Sequence, residues 1–289
     1  MEYSSATDEN YNANLALPTA NVDNDCGPNN PPWSSMIAIG VWLASVILIA
    51  ILPALFVLPY LASQRTQFAT SQELLAFAAS DPTSLFLQIL SVIPAHLITL
   101  LIAYFVITKG RRYSFTRMIG WKWGGFNVIW LIVSLVVVGL FAVMMTSVFG
   151  EADNDFLKLL RSSREIVFAV AVIATFSAPI VEELVYRGIL YSAFRRSFSV
   201  PVAIIATTLI FAGIHYPQYW GDWATILTLT FLSLLLTIIR EKTGNLLPCV
   251  LLHFLINGIQ SLLLVLEPVL KGYIDVTPEH GFYFVRLFF

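Results

Sequence analysis

The sequence predicts an all-α, polytopic membrane protein with seven or eight transmembrane helices. Hydrophobic residues occupy 57% of its 289 positions, and only 12% are charged, against roughly 25% in a soluble domain. So few charged side chains cannot cover a water-facing surface. The apolar residues also fall in runs of the length needed to cross a membrane, roughly 20 residues for about 30 Å of hydrocarbon. The net charge of −2 offers no basic excess for nucleic acid, and we expect no such partner.

Seven apolar runs mark the predicted spans. The fourth is unusual because Glu182, Glu183 and Arg187 interrupt it, and we interpret it as one long, tilted helix kinked at Pro179. The apolar stretch 281–289 is too short to cross unaided and predicts an eighth, partial or interfacial helix. In order, the predicted spans cover residues 36–60, 82–108, 124–150, 166–195, 200–220, 223–239 and 246–266.

The spans divide the chain into four segments. Residues 1–34 form an acidic tail without Lys or Arg, which we expect to be disordered and to end in a Pro-rich linker into the membrane. Residues 35–150 hold three accessory helices, and residues 160–270 hold the spans with polar groups. Residues 271–289 are expected to be a C-terminal tail or a short interfacial helix.

Basic residues favour a cytoplasmic N-terminus. With that orientation, nine Lys and Arg residues lie in cytoplasmic loops and six lie on the opposite side. The tail itself, which lacks basic residues, argues against it. The run 109–122 is expected to anchor the protein at the cytoplasmic face by contact with anionic lipid, so membrane lipid is a predicted partner.

Ionisable groups inside hydrocarbon are costly, and where they occur they mark a function. Glu183 and Arg187 are four residues apart, a spacing that predicts an ion pair on one face of the helix. Glu182 lies about 100° away around the helix axis, so one carboxylate is neutralised while the other stays free. The other polar groups of these spans are His215, His253 and Asn257.

Depth in the membrane brings these groups together. Counted from the turn between the fourth and fifth spans at about 1.5 Å per residue, Glu182 lies roughly 20 Å deep and His215 roughly 22 Å deep. The seventh span starts on the same side and places His253 about 14 Å deep and Asn257 about 20 Å deep. Three helices thus contribute to one layer about 8 Å thick, which indicates a shared site.

This layer has the parts of a hydrolase that acts on an amide bond with water. Glu182 suits the role of general base, His215 can share the water, and Asn257 can donate to a developing oxyanion. A zinc ion bound by His215, His253 and Glu182 is the alternative. Glutamate-activated water is favoured because the two histidines are 38 residues apart on separate helices, unlike a His-Glu-x-x-His helix.

Three motifs occur in order on these spans. Together they resemble the type II CAAX prenyl endopeptidases and bacteriocin-processing enzymes, also called the CPBP or Abi intramembrane proteases, over roughly residues 166–266. The resemblance implies that residues 160–270 form a CPBP-like catalytic core. The motifs are Glu-Glu-x-x-x-Arg at residues 182–187, Phe-x-x-x-His at 211–215 and His-x-x-x-Asn at 253–257.

The resemblance also implies a role for each site residue. Glu182 would be the water-activating base and His215 its partner. His253 and Asn257 would stabilise the oxyanion or complete a metal site. The remaining pair, Glu183 and Arg187, would hold the local helix geometry.

The predicted function is that of an intramembrane endopeptidase that cleaves a hydrophobic or lipidated peptide near the membrane, in CAAX-type or leader-type processing. We expect a multi-pass protein of a bacterial plasma membrane. A non-catalytic immunity or scaffold member of the same fold is one alternative. A transporter with a midplane polar site is another, although it predicts inverted repeats that the sequence does not show. Of the other histidines, His96 is expected to be a packing or interfacial residue and His280 to be exposed.

Overall fold

The computed structural model describes residues 26–150 and 155–273, and this part of the chain is all-α with no named strand. The predicted fold class, a polytopic helical membrane protein, is confirmed. The predicted eighth helix and His280 lie outside the described residues. The helices are α1 (Ser35–Gln64), α2 (Ser71–Ala78), α3 (Pro82–Leu90), α4 (Val92–Thr108), α5 (Phe115–Ile119), α6 (Val128–Phe149), α7 (Asp155–Ser162), α8 (Arg164–Ser197), α9 (Val200–His215), α10 (Trp223–Thr243) and α11 (Leu247–Tyr273).

Six helical stretches in the described part are long and apolar enough to cross a membrane. They are α1, the nearly continuous pair α3 and α4, α6, α8, α10 and α11. The fifth predicted span is shorter than expected, because α9 ends at His215 and not at residue 220. Pro217 has no N–H to continue the helix, and the N–H groups of Gln218 and Tyr219 both turn back to the His215 carbonyl. Residues 216–222 therefore form a turn.

Helix α8 lies at the centre of the bundle. It contacts α1, α4, α9 and α11, and every residue from 183 to 194 is buried. A helix surrounded on all sides by protein can carry charges at membrane depth, since they face other helices and not lipid. This position explains why the fourth span tolerates an ion pair in its middle.

Two π-helical turns interrupt α8, at Ile173–Ser177 and Leu184–Leu190. The first immediately precedes Pro179, where the sequence predicts a kink. Because Pro179 has no N–H and the Ala178 N–H bonds to the Ile173 carbonyl, the Ala174 carbonyl has no partner within the helix. That carbonyl is available to a side chain of another helix.

The segment 26–34 packs against the helices, which differs from the expectation of a loose tail up to residue 34. Trp33 is 1% exposed, and its indole N–H donates to the Ile189 carbonyl over 3.1 Å. The buried guanidinium of Arg240 donates to the Asn29 side chain at 2.9 Å and to the Pro28 carbonyl at 2.8 Å. These contacts join the start of the described chain to α8 and α10. Residues 1–25 of the predicted tail lie outside the described residues.

We expect Trp33→Ala to destabilise the protein by about 3 kcal/mol, because it leaves a large cavity and an unpaired carbonyl against α8. Trp121→Ala is the matched control, since Trp121 is 41% exposed. Thermal unfolding of both variants in the same detergent measures the difference. Equal midpoints for the two variants would contradict the inferred packing role of the segment.

Candidate active site

A cavity of about 520 Å³ lies between the helices, and α1, α4, α8, α9, α10 and α11 all contribute to its wall. Of the predicted site residues, Glu182, His215, His253 and Asn257 line this cavity. Glu183 and Arg187 are buried next to it. The volume exceeds that of a single water molecule several-fold and has room for a segment of peptide.

Glu182 and His253 face each other across the site. The Glu182 Oε2 atom lies 3.9 Å from the His253 Nε2 atom. On the other side of the ring, His253 Nδ1 lies 2.9 Å from Glu183 Oε1. A carboxylate only accepts hydrogen bonds, so we assign the proton to Nδ1, and Nε2 faces Glu182. The 3.9 Å separation is too long for a direct hydrogen bond.

The two neighbouring carboxylates have different surroundings, as their positions on the helix predict. Glu183 is fully buried and pairs with Arg187, whose Nη1 donates to Oε1 over 2.9 Å. Arg187 also donates from Nη2 to Ser233 at 2.7 and 2.9 Å and from Nε to Thr237 at 3.3 Å. The side chain of Glu182 is 24% exposed. Its charge has no such neutralising partner among the described residues.

Phe211 and His215 extend the site from α9. Phe211 is buried, and the Arg187 guanidinium carbon lies 4.8 Å from the centre of its ring. His215 Nδ1 lies 2.8 Å from the Phe211 carbonyl, which can only accept. In the neutral ring, Nε2 is therefore the free acceptor. His215 and Glu182 line the same cavity, but no ion pair joins their side chains. The family resemblance instead implies that His215 is the partner of Glu182.

Asn257 is held by the first π turn of α8. Its Nδ2 donates to the Ala174 carbonyl over 2.9 Å, the carbonyl that the π turn and Pro179 leave without a helical partner. A side-chain amide has two N–H groups. One N–H group fixes the side chain against α8, and the second can donate a hydrogen bond to a ligand in the cavity.

The predicted zinc ligands do not form a metal-binding group. In residues 26–150 and 155–273, no cluster of three or more His, Cys, Asp or Glu side chains is arranged to hold a metal ion. His253 and Glu182 approach each other, but His215 does not complete a ligand set with them. The zinc alternative stays a prediction.

His96 and Tyr219 line the cavity but are absent from the sequence-based site. His96 on α4 is 4% exposed and its Nδ1 lies 2.9 Å from Ser177 Oγ. Tyr219, in the turn after α9, also lines the cavity. Burial, with the negative charges of Glu182 and Asp222, raises the pKa of the Tyr219 hydroxyl above its usual range. His96 carries the same signal as the other histidines, an ionisable group inside an apolar span.

Comparison with known proteins bears on the part of the chain that holds these residues. Residues 164–259 match the family model of Rce1-like type II CAAX prenyl endopeptidases. The resemblance predicted from the three motifs is confirmed. The matched Rce1-like segment runs from the start of α8 into α11 and contains all six predicted site residues. It excludes α1, α4 and the other accessory helices that complete the cavity wall.

Two relatives are bacterial. The "Uncharacterized protein YpbD" of Bacillus subtilis (strain 168) is 27% identical over 167 residues, which cover 55% of this chain and 79% of that protein. The "Uncharacterized 24.3 kDa protein" of Escherichia coli is 25% identical over 131 residues, which cover 44% of this chain and 59% of that protein. No solved structure gives a significant match.

Proposed function

We propose that the protein is an intramembrane endopeptidase that hydrolyses a peptide bond with a water molecule activated by Glu182. The contrast between the two carboxylates carries this proposal. Glu183 is neutralised by Arg187, whereas Glu182 faces the cavity 3.9 Å from His253 Nε2. A carboxylate that is not bound to a cation is free to take a proton from a water molecule, as a general base does. The Rce1-like segment supports the same chemical class.

The reaction uses the cavity groups in sequence. Glu182 takes one proton from the water, and the water oxygen adds to the substrate carbonyl carbon. His215 Nε2 accepts the other water hydrogen and orients the attack. The oxyanion receives a hydrogen bond from the second N–H of Asn257. His253 Nε2, which carries a lone pair, faces Glu182 and the water between them. When the C–N bond breaks, Glu182 gives its proton to the leaving amine, which regenerates the carboxylate.

Glu183 prepares His253 for this role. Its carboxylate accepts from Nδ1–H and so fixes the tautomer in which the Nε2 lone pair faces Glu182. Arg187 in turn holds Glu183 in place. This arrangement gives Glu183 and Arg187 a supporting function, and neither residue needs to contact the substrate.

The cavity wall favours a substrate with an apolar segment. The wall includes Val46, Ile49, Val92 and Ala142 from the accessory helices. Removal of water from such a surface by an apolar chain is favourable in free energy. We therefore infer a hydrophobic or lipidated peptide substrate, and the two bacterial relatives support a bacterial plasma membrane.

A quenched fluorescent peptide library tests this function with purified protein in liposomes. We expect cleavage that yields a new amine and a new carboxylate, seen by mass spectrometry, and its loss in Glu182→Ala. Cleavage that persists in Glu182→Ala contradicts the assigned base. Activity that a chelator removes and zinc restores favours the metal alternative. A wild-type protein that cleaves no member favours the immunity or scaffold alternative.

A further inference from the structure

Every histidine in the described part of the chain lines the same cavity. His215 and His253 belong to the Rce1-like segment, whereas His96 comes from α4, outside the family match. His96 is nearly fully buried, and its ring shares the cavity wall with Glu182. Because an ionisable group at membrane depth is costly, an imidazole beside this site indicates a function.

The hydrogen bonds of His96 define which ring nitrogen is available. Ser177 Oγ lies 3.2 Å from the Ile173 carbonyl, which can only accept, so the hydroxyl donates there. The Ser177 oxygen then accepts from His96 Nδ1–H over 2.9 Å. In this tautomer Nε2 carries a lone pair. Within residues 26–150 and 155–273, no hydrogen bond engages that nitrogen.

A peptide that enters the cavity needs acceptors for its backbone N–H groups. An N–H that loses water and finds no partner weakens binding, because nothing compensates for its lost hydration. Glu182 and His215 are engaged with the attacking water in the proposed reaction, so neither is free to accept from the peptide. His96 Nε2 supplies an acceptor from the part of the cavity wall that an accessory helix forms.

We propose that His96 is a substrate-binding residue whose Nε2 accepts a hydrogen bond from a backbone N–H of the bound peptide close to the scissile bond. This inference rests on the proposed peptidase function. The inference assigns α4 a peptide-binding subsite next to the catalytic groups of the Rce1-like segment. A rival role acts through Ser177, since the π turn that contains Ser177 also holds Asn257 by way of the Ala174 carbonyl.

Two substitutions separate these roles because each preserves one end of the imidazole. His96→Asn keeps a donor near the Nδ1 position for Ser177 and removes the acceptor at Nε2. His96→Gln places an amide oxygen near the Nε2 position and removes the bond to Ser177. For the best peptide of the library, we expect His96→Asn to raise KM about ten-fold, as loss of one hydrogen bond predicts, with kcat little changed. We expect His96→Gln to remain within about three-fold of the wild type in KM.

The opposite pattern overturns the proposal. Wild-type kinetics in His96→Asn, together with defects in His96→Gln and Ser177→Ala, would assign His96 to positioning of the π turn. A fall in kcat with unchanged KM in His96→Asn would also contradict a binding role. If the wild-type protein cleaves no peptide, the proposed function fails, and that result is distinct from a failure of the His96 subsite.

A substrate-side test does not depend on how the variants fold. Backbone N-methylation, one amide at a time along the best peptide, removes each N–H in turn. At one position near the scissile bond we expect a KM penalty of about ten-fold in the wild type and almost none in His96→Asn. Equal penalties in both proteins at every position would rule out the proposed hydrogen bond.

Discussion

Replacing Glu182 by Gln is expected to lower kcat for peptide cleavage by about 10³-fold, which is within the range that a positioned general base contributes. Gln has the same shape as Glu but cannot take a proton from water. The carboxylate oxygen of Glu182 lies 3.9 Å from His253 Nε2 without a neutralising cation, so the substitution removes charge without leaving a buried ion unpaired. We therefore expect the unfolding temperature to change little.

Glu165→Gln is the matched control, because Glu165 lies exposed in the first turn of the same helix. It should retain wild-type kcat and KM. Initial rates on the best library peptide, measured across a range of substrate concentrations, give both constants. A Glu182→Gln protein that keeps more than about a tenth of the wild-type kcat is incompatible with Glu182 as the base.

Replacing Arg187 by Ala is expected to destabilise the protein by about 3–5 kcal/mol, since it leaves the Glu183 carboxylate buried without its cation. Arg187 is fully buried and donates to Glu183, Ser233 and Thr237. The control is Arg195→Ala, because Arg195 is about one-third exposed where it pairs with Glu241. An exposed pair contributes about 0–1 kcal/mol. Thermal unfolding in one detergent compares the two variants.

A double variant identifies the cause of the destabilisation. Glu183→Leu combined with Arg187→Met removes both charges and keeps most of the side-chain volume. We expect it to unfold closer to the wild type than Arg187→Ala does, because no buried charge remains unpaired. If the double variant is as unstable as Arg187→Ala, then the stability is lost with the hydrogen bonds to Ser233 and Thr237. The buried, unpaired carboxylate of Glu183 would then not be the cause.

Sequence patterns predict those features of this protein that depend on position along a helix. The apolar runs give the spans, and the four-residue spacing of Glu183 and Arg187 gives their ion pair. The common depth of four polar residues in three helices is matched by their shared cavity. These properties follow from helical rise and period alone.

Features that depend on how helices rotate and pack against one another escape such reasoning. Depth alone did not show that His253, and not His215, is the imidazole that faces Glu182. That His96 lines the cavity depends on how α4 packs against α8, and no local sequence pattern encodes this packing. Pro179 indicates a kink, but the π turn that presents the Ala174 carbonyl to Asn257 became visible only in three dimensions.

The most direct test of the account is an experimental structure of the protein in a lipid nanodisc at a resolution that shows ordered water. The account predicts one water within hydrogen-bonding distance of the Glu182 carboxylate and of His253 Nε2, enclosed by helices α8, α9 and α11. A Glu182 side chain turned toward lipid, or a metal ion in place of that water, would contradict it.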